Sequence, residues 1–248
     1  MIVKLANSFF FWAAWIVIPL VVEFIPSVGN FFVLLLKRKR THSHKKLDFL
    51  PGITLIVPVY NSGQTLHRCI ESIHLSTYPD KNIEIILVDN GSKDNSFAVF
   101  QEAQMAFPTL SMWWMRSKQG KSKALNKAIF NSTGKYIINI DSDGVLHETA
   151  LMNMVRAFEQ NSDTDCMTGV ILTEPALIEQ TKPLFLKCFR RLEFMEYAQA
   201  FLAGRNFESQ FNGIYTLSGA FSAFRKSVLL KTFLYNTNTI CEDTHLTF

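Results

Sequence analysis

The chain has 248 residues, of which 48% are hydrophobic and 19% are charged, and its formal net charge is +4. This length is sufficient for one large domain or two small ones with a sizeable core. The four cysteines form no CxxC pair and have no histidine nearby at metal-ligand spacing. Their arrangement argues against a disulfide framework or a zinc site and fits a reducing compartment.

The N-terminus is very apolar. Residues 8–36 contain only one acid, two prolines and one glycine among otherwise mostly apolar residues. A transmembrane helix needs about 20 mostly apolar residues, so this stretch is long enough for one tilted or kinked helix, or for a broken pair of shorter segments. A basic run at residues 37–40 follows and favours a cytoplasmic location for the rest of the chain. We therefore predict a membrane segment over residues 1–40, because an all-round apolar surface beside a basic stop is typical of a membrane helix rather than of a buried core helix.

Residues 41–51 are polar and predict a linker, after which short apolar runs alternate with segments of helical periodicity. Apolar runs bounded by turn residues indicate strands, and apolar residues three or four positions apart indicate helices. This alternation predicts an α/β domain with a mostly parallel, doubly wound sheet. The expected strands cover 53–57 (ended by Pro58), 83–88, 110–115 and 136–140, and the expected helices cover 65–76, a segment ending near 106, and 123–130.

Three of the expected strands end in polar residues. The first is followed by Pro58-Val59-Tyr60-Asn61, the second by Asp89-Asn90-Gly91-Ser92 and the last by Asp141-Ser142-Asp143. Sheets of this class bind ligands at the carboxyl ends of their strands. These side chains are therefore expected to meet at one edge of the sheet and to form a binding site.

The acidic pair Asp141 and Asp143 is suited to a divalent cation. Two carboxylates that lie two residues apart in extended chain point to the same side. Mg²⁺ and Mn²⁺ prefer oxygen ligands, and Mg²⁺ commonly uses one or two carboxylates together with substrate phosphates. Lys121 begins a predicted helix, where its ammonium group and the helix N-terminus both favour phosphate. The alternative for the acidic pair is a simple turn, because Asp, Ser and Gly are favoured turn residues.

Six short blocks of the chain resemble the family 2 glycosyltransferases. The blocks are IVPVYN at 56–61, LVDNGS at 87–92, GKSKALN at 120–126, the DxD motif at 141–143, SGAFSAFR at 218–225 and the acidic pair at 242–243. Any one of them is a weak signal, but six blocks in the order of the family are specific. The resemblance implies a Rossmann-like nucleotide-diphospho-sugar transferase (GT-A) fold and a sugar transfer with inversion.

The resemblance also implies a set of donor-binding residues. Tyr60 would pack near the nucleobase, with Pro58 in the same block, and Asp89 would contact the base. Lys121 would reach the phosphates of the nucleotide. Asp141 would serve both the nucleotide and the metal ion. Uridine is favoured as the nucleobase only through the family.

The remaining roles implied by the resemblance concern the metal and the acceptor. Asp141 and Asp143 would hold Mg²⁺ or Mn²⁺, and Asp243 would be the general base. A base must lie within hydrogen-bond reach of the hydroxyl group whose proton it removes. The acceptor-binding residues would be Gly219, Ala220, Phe221 and Glu242.

Within the family, the chain is most similar to the membrane-bound, often processive branch of cellulose, hyaluronan and poly-N-acetylglucosamine synthases, and it resembles the exosortase-associated transferases of Gram-positive bacteria. Two departures from the pattern stand out. Asn90 replaces the usual second acid of the first acidic block, and the sequence ends at Phe248 without the QxxRW block that this branch has downstream. We therefore expect residues 52–248 to be a catalytic domain that is incomplete at its C-terminus.

The expected function is metal-dependent transfer of a sugar from a nucleotide diphosphate, such as a UDP-sugar, to a glycan or lipid-linked acceptor during polysaccharide synthesis. The expected location is the cell membrane with a cytoplasmic catalytic domain, with export or assembly subunits as further partners. Two alternatives remain open: a transferase that adds one sugar to polyprenyl phosphate, and a non-catalytic membrane subunit that binds sugar nucleotides.

Alternatives also remain for individual residues. Asp89 suits an ordinary turn, Lys121 suits a solvated helix start, and the pair at 242–243 suits a helix N-cap. His147 is either a metal ligand or a hydrogen-bonded structural histidine. The aromatic and basic stretch at 185–211 would fit nucleic acid, but an amphipathic helix at a membrane interface is the better interpretation, and no nucleic-acid partner is expected.

Overall fold

The computed structural model describes residues 2–37, 47, 49–205, 209, 216–232 and 234–237. The chain divides into two compact units, one formed by Met1–Lys45 with Ile171–Ile214 and the other by Lys46–Val170 with Tyr215–Phe248. The first unit therefore combines the apolar N-terminus with a segment from the middle of the chain. The basic residues at 38–40 and most of the predicted linker lie outside the described residues.

Helices and strands alternate over much of the chain. The α-helices are α1 (Ile2–Pro19), α2 (Ile25–Lys37), α3 (Leu66–His74), α4 (Ser96–Ala106), α5 (Lys121–Asn131), α6 (Ala150–Gln160), α7 (Pro175–Gln180), α8 (Leu184–Ala198) and α9 (Lys226–Leu229). The strands are β1 (Ile53–Val59), β2 (Ile83–Asp89), β3 (Ser111–Arg116), β4 (Tyr136–Ile140), β5 (Cys166–Thr168) and β6 (Phe221–Arg225). π-helical turns follow α1 at Leu20–Phe24 and α8 at Gln199–Gly204.

In the first unit, α1, the π-helical turn and α2 form one uninterrupted helical run. Proline removes a backbone hydrogen bond inside a helix, and the π-helical turn lies between Pro19 and Pro26, where this loss must be accommodated. The helix Phe11–Gly29 is long and apolar enough to cross a membrane, and none of it is buried. Of the two expected forms, a single irregular helix describes this run better than two separate segments.

The second unit is built on a sheet with the strand order β3-β2-β1-β4-β6-β5. β3, β2, β1 and β4 are parallel, whereas β6 pairs antiparallel with both β4 and β5. The predicted α/β class with a mostly parallel sheet is confirmed. The sequence pattern did not reveal β5 or β6, of which only β6 runs antiparallel to the other strands.

The sequence predicted that Pro58 would end β1, but Pro58 lies within this strand. β1 pairs with β4 only as far as the partners Ile56 and Asn139, whereas it pairs with β2 through Pro58 opposite Val88 and on to Val59. Pro58 therefore has a neighbouring strand on one side only. Because proline cannot donate a ladder hydrogen bond, it is tolerated where one side of a strand is unpaired.

Both faces of the sheet are covered by apolar side chains. On β1, Leu55 and Val57 belong to one buried cluster together with Ile70 of α3, and Ile56 belongs to a second cluster together with Leu125 of α5. Successive strand residues point to opposite faces, so a strand buried on both sides is an uninterrupted apolar run. This two-sided burial holds the polar residues at the strand ends in place.

Asn139 is the polar exception inside β4, with only 1% of its surface exposed. Its amide nitrogen donates to the hydroxyl oxygen of Tyr235, which is also buried. The backbone of Tyr235 is in turn held by Asn126 of α5, whose side chain accepts from its N–H at 3.0 Å and donates to its carbonyl oxygen at 2.8 Å. These bonds attach the segment around Tyr235 to the sheet.

Candidate active site

The carboxyl ends of β1, β2 and β4 meet at an open cleft of about 480 Å³. Five of the residues predicted from the sequence line this cleft: Pro58, Tyr60, Lys121, Asp141 and Asp143. They come from three separate blocks of the sequence and are brought together by the parallel order of the strands. The cleft is therefore the candidate active site.

Lys121 and Asp141 form an ion pair inside the cleft. The Nζ atom of Lys121 lies 2.6 Å from Oδ1 of Asp141 and donates a second, longer bond of 3.3 Å to the carbonyl oxygen of Gly219. Both charged side chains are about one-third exposed, so each remains accessible to a ligand. The structure thus places a cation and a carboxylate side by side at the end of β4.

The DxD motif forms a turn, and this turn also lines the cleft. The carbonyl oxygen of Asp141 accepts from the N–H of Gly144 at 2.9 Å, and the N–H of Asp141 donates to the carbonyl oxygen of Ala220 at 3.1 Å. Asp143 is exposed at the cleft. The turn and the site, which were alternatives in the sequence, are therefore compatible with each other.

The two carboxylates suit a divalent cation by their chemistry. Oδ1 of Asp141 is engaged by Lys121, and Asp143 offers a second, exposed carboxylate. Mg²⁺ commonly takes one or two protein carboxylates and completes its shell with water and substrate phosphates, and this donor set matches that pattern. Within the described residues no group of three or more His, Cys, Asp or Glu side chains forms a closed metal site.

Ser62 is a site residue that the sequence analysis missed. Its hydroxyl group lies 2.6 Å from the hydroxyl group of Ser142, the middle residue of the DxD motif. Its N–H donates to the hydroxyl oxygen of Ser96, the first residue of α4, at 2.8 Å. Ser62 therefore connects the loop after β1 with the DxD turn. Its position just after the IVPVYN block was the available signal.

Hydrogen bonds also join the loops that follow β1 and β2. The N–H of Asn61 donates to the hydroxyl oxygen of Ser92 at 3.0 Å, and its side-chain oxygen accepts from the N–H of Lys93 at 2.8 Å. Asn61 adopts a positive φ of 51°, which asparagine tolerates better than most residues. Asp94 accepts from Gly63 and Ser96, and the hydrogen bond from the Ser96 hydroxyl group lowers the pKa of this carboxyl group.

Asp89 and Asn90 have different surroundings. One carboxylate oxygen of Asp89 accepts from the N–H of Ser92 at 2.8 Å, as an ordinary turn requires. Asn90 lines the cleft, and its side-chain oxygen accepts from the N–H of Gly120 at 2.7 Å. The residue that departs from the family pattern therefore ties the end of β2 to the start of α5. The base contact of Asp89 stays a prediction.

The SGAF block lies next to the DxD turn. Gly219 and Ala220 provide the carbonyl oxygens that accept from Lys121 and Asp141, respectively. Phe221 begins β6, and its ring packs directly on Gly169. A Cβ atom at position 169 would lie only 1.9 Å from this ring, so the glycine leaves the room that the ring needs. The predicted acceptor residues at 219–221 are thus beside the cleft, whereas Glu242 and Asp243 lie outside the described residues.

His147 and Cys69 take structural positions. Nδ1 of His147 lies 3.0 Å from the hydroxyl group of Thr149 just before α6, which favours the structural alternative over a metal ligand. Cys69 is buried behind the DxD turn, and its thiol lies 3.7 Å from the carbonyl oxygen of Asp141. Burial, followed by the negative charges of Asp143 and Asp141, raises its pKa to about 12. This thiol is therefore neutral near pH 7.

Solved structures with a similar fold include two that were determined with a nucleotide sugar bound. A mannosyltransferase from Pyrobaculum calidifontis, in complex with GDP-Man and Mn²⁺, superposes with a TM-score of 0.63 at 19% identity, over 91% of this chain and 61% of that one. TarS 1–349 from Staphylococcus aureus, in complex with UDP-GlcNAc, superposes with a TM-score of 0.56 at 18% identity, over 79% of this chain and 52% of that one. These similarities show that the fold of this chain is GT-A.

Sequence comparisons agree with the fold. A poly-beta-1,6-N-acetyl-D-glucosamine synthase from Staphylococcus epidermidis is 27% identical over 227 residues, and a synthase of the same name from Staphylococcus aureus is 24% identical over 224 residues. This chain spans about half the length of these relatives, because each match covers 87% of this chain and 50% of the relative. The model of glycosyl transferase family 2 matches residues 54–233, and the chain therefore belongs to that family.

Proposed function

We propose that the chain transfers a sugar from a nucleoside diphosphate sugar, in particular a UDP-sugar, to a glycan or lipid-linked acceptor with inversion at the anomeric carbon. The observation that carries this proposal is the convergence of Tyr60, Lys121, Asp141 and Asp143 in one cleft. A nucleoside diphosphate needs a surface for its base, a cation for its phosphates and carboxylates for a bridging metal ion. Membership of glycosyl transferase family 2 supports the same chemistry.

The donor site is proposed to work by exchange of partners. Without a ligand, the ammonium group of Lys121 is paired with Asp141 at 2.6 Å. On donor binding, Lys121 would turn to the diphosphate, and Asp141 and Asp143 would be the residues that hold Mg²⁺ or Mn²⁺. Such a metal ion supplies positive charge that stabilises the departing diphosphate. Pro58 and Tyr60 provide the wall of the cleft for the nucleoside, with Asp89 as the predicted contact of the base.

In the transfer step, a hydroxyl oxygen of the acceptor forms a bond to the anomeric carbon as the bond from that carbon to the diphosphate oxygen breaks. The hydroxyl proton passes to the carboxylate of Asp243, the proposed general base. The products are the glycoside and the nucleoside diphosphate. Gly219, Ala220 and Phe221, together with Glu242, are proposed to contact the acceptor.

We assign residues 1–40 to a membrane segment and 52–248 to a cytoplasmic catalytic domain. The candidate span Phe11–Gly29, none of which is buried, supports this assignment, as does the basic run at residues 37–40. The name of the staphylococcal relatives supports a role in polysaccharide synthesis with N-acetylglucosamine as the sugar. Export or assembly subunits would then be further partners.

A transfer assay tests the proposed function. The 248-residue chain, reconstituted in phosphatidylcholine vesicles, is incubated with Mn²⁺, UDP-[¹⁴C]-N-acetylglucosamine and either a β-1,6-linked glucosamine oligosaccharide or undecaprenyl phosphate. We expect label to enter the oligosaccharide, and to be lost with Asp141→Asn. The matched control is Asp163→Asn, because Asp163 is exposed in a loop away from the cleft.

The acceptor arms separate the alternatives. Label that enters only undecaprenyl phosphate would identify a transferase that adds a single sugar to a lipid carrier. If donor binding is intact but neither acceptor is labelled, the assay is repeated on a chain extended to include the QxxRW block, and binding without transfer there would identify the non-catalytic alternative. Equal transfer by the wild type and Asp141→Asn would show that the cleft is not the donor site.

A further inference from the structure

We propose that helix α8 lies in the membrane–water interface with one apolar stripe in contact with lipid. The stripe consists of Leu184, Phe185, Cys188, Leu192 and Met195. This inference rests on the membrane attachment proposed above. It extends that attachment to a helix that begins about 150 residues after the end of the candidate span. It assigns an interaction surface to a helix that the proposed transfer chemistry does not use.

The stripe follows from helical geometry. At 3.6 residues per turn, these five positions lie within a sector of roughly 100° on the helix surface. α8 has no buried residue, and the exposed fractions of Leu184, Phe185 and Met195 are 80%, 73% and 66%. A contiguous apolar surface of this kind is uncommon on a protein that faces water and marks an interaction site.

The other side of α8 is occupied by α7. Lys187 and Arg191 both donate to the carboxylate of Glu179, at 2.5 and 3.0 Å, and Arg190 donates to the carbonyl oxygen of Leu177. These polar contacts orient α8 through its charged face. The apolar stripe is therefore left on the outer side of the α7–α8 pair.

Two features favour lipid as the partner of the stripe. α8 continues directly into the π-helical turn Gln199–Gly204, and this turn packs against α2, the helix whose first residues belong to the candidate span. Within this turn, Phe201 stacks on Tyr197 and carries the guanidinium group of Arg205 over its ring at 4.2 Å. Aromatic rings and arginine are typical of the boundary between lipid and water. The C-terminal end of α8 is thus held next to a helix that is itself proposed to enter the membrane.

The charges indicate which part of the lipid is contacted. Residues 174–198 carry four acidic and four basic side chains, which gives a formal net charge of zero: Glu174, Glu179, Glu193 and Glu196, and Lys182, Lys187, Arg190 and Arg191. Attraction to anionic headgroups requires an excess of basic residues. The contact is therefore with the apolar part of the lipid, and it should be insensitive to the proportion of anionic lipid.

The exposed thiol of Cys188 allows a direct test. In a variant with Cys166→Ser and Cys241→Ser, Cys188 is labelled with an environment-sensitive fluorophore, and the chain is reconstituted in phosphatidylcholine vesicles with or without phosphatidylglycerol. Quenching is measured with a nitroxide placed high on the lipid acyl chain and with aqueous iodide. A Cys188→Ser variant reports any labelling of the buried Cys69. The matched control adds Glu193→Cys to the variant that carries Cys188→Ser, because Glu193 is exposed on the opposite side of α8.

We expect the lipid nitroxide to quench the Cys188 label at least about twofold more than the label at position 193, with the reverse order for iodide and no dependence on phosphatidylglycerol. Equal iodide quenching at both positions would overturn the proposal. So would a Cys188 label protected from both quenchers, because protein rather than lipid would then cover the stripe. A label on Val17→Cys, in the candidate span, tests membrane attachment separately. If the chain is not attached to the membrane, lipid quenching is lost at position 17 as well as at position 188. If only the contact of α8 with lipid is wrong, lipid quenching persists at position 17.

Discussion

Helices α6 and α8 are both amphipathic, yet they use their apolar residues in opposite ways. In α6, the residues Leu151, Met154, Val155 and Phe158 are buried in the core of the second unit. In α8, no residue is buried, and the large apolar side chains remain exposed. Periodicity therefore identifies a helix with an apolar side, but it does not tell whether protein or lipid covers that side.

The largest expected difference in stability is between truncating a leucine in α6 and truncating a leucine in α8. Leu151→Ala creates a cavity in the core and should lower the free energy of unfolding of the second unit by about 2–5 kcal/mol. Leu192→Ala, at a position that is 57% exposed, should change it by less than about 0.5 kcal/mol. Urea denaturation of the detergent-solubilised chain measures both variants. Similar losses would mean that α8 packs into a protein core after all.

A smaller effect is expected from removing single hydroxyl groups. Tyr235→Phe removes the partner of the buried Asn139 amide group, and this should cost about 1–3 kcal/mol of unfolding free energy. Tyr60→Phe is the matched control, because Tyr60 is 52% exposed in the cleft and should affect stability little. The same denaturation experiment compares the two. An unchanged midpoint for Tyr235→Phe would show that the segment around Tyr235 is not held by this bond.

The smallest effect concerns pH. Burial raises the pKa of Glu159, but hydrogen bonds from Lys135 and Tyr136 outweigh burial and hold it below its ordinary value of 4.5. A carboxyl group with a lowered folded-state pKa stabilises the fold above its unfolded-state pKa, and this contribution is lost as the pH falls through the folded-state pKa. Because the ion pair of Lys135 and Glu159 is partly exposed, Glu159→Gln should lower the free energy of unfolding by only about 0.5–1 kcal/mol near pH 7 and by almost nothing in strong acid.

Glu179→Gln in α7 is the matched control for this pH experiment. The hydrogen bond from Lys187 lowers the pKa of Glu179 as well, but the side chain is 63% exposed. Solvent screening should leave its effect on stability below detection at every pH. Thermal denaturation scans between acid and neutral pH compare the two variants. A larger pH dependence in Glu179→Gln than in Glu159→Gln would contradict the contrast between the two units.

Much of the parallel half of the sheet was predictable. β4 runs from Tyr136 to Ile140 as expected, because a strand buried on both faces is a nearly continuous apolar run, here with Asn139 as its one polar residue. The polar residues after β1, β2 and β4 were also predicted to meet, since parallel strands bring their carboxyl ends to one edge. β5 and β6 were missed: β5 is only three residues long, and β6 pairs antiparallel with a strand far away in the sequence.

Other features depend on contacts between distant residues and have no local pattern. The hydroxyl contact between Ser62 and Ser142 joins residues 80 positions apart, and the bond from Asn139 to Tyr235 spans 96 positions. The grouping of residues 171–214 with the N-terminal helices is of the same kind. Propensity and periodicity describe neighbours in the chain, so such contacts emerge only from the folded structure.

Calorimetric titration of the 248-residue chain with uridine diphosphate, with and without Mn²⁺, shows whether the cleft is a donor site, because this experiment needs no acceptor. We predict binding that requires Mn²⁺ and that Asp141→Asn weakens on the order of 10–100-fold, as expected for loss of a residue that supports a metal site. Asp163→Asn should bind like the wild type. Metal-independent binding of equal strength in all three proteins would contradict the assignment of the DxD carboxylates to a nucleotide–metal site.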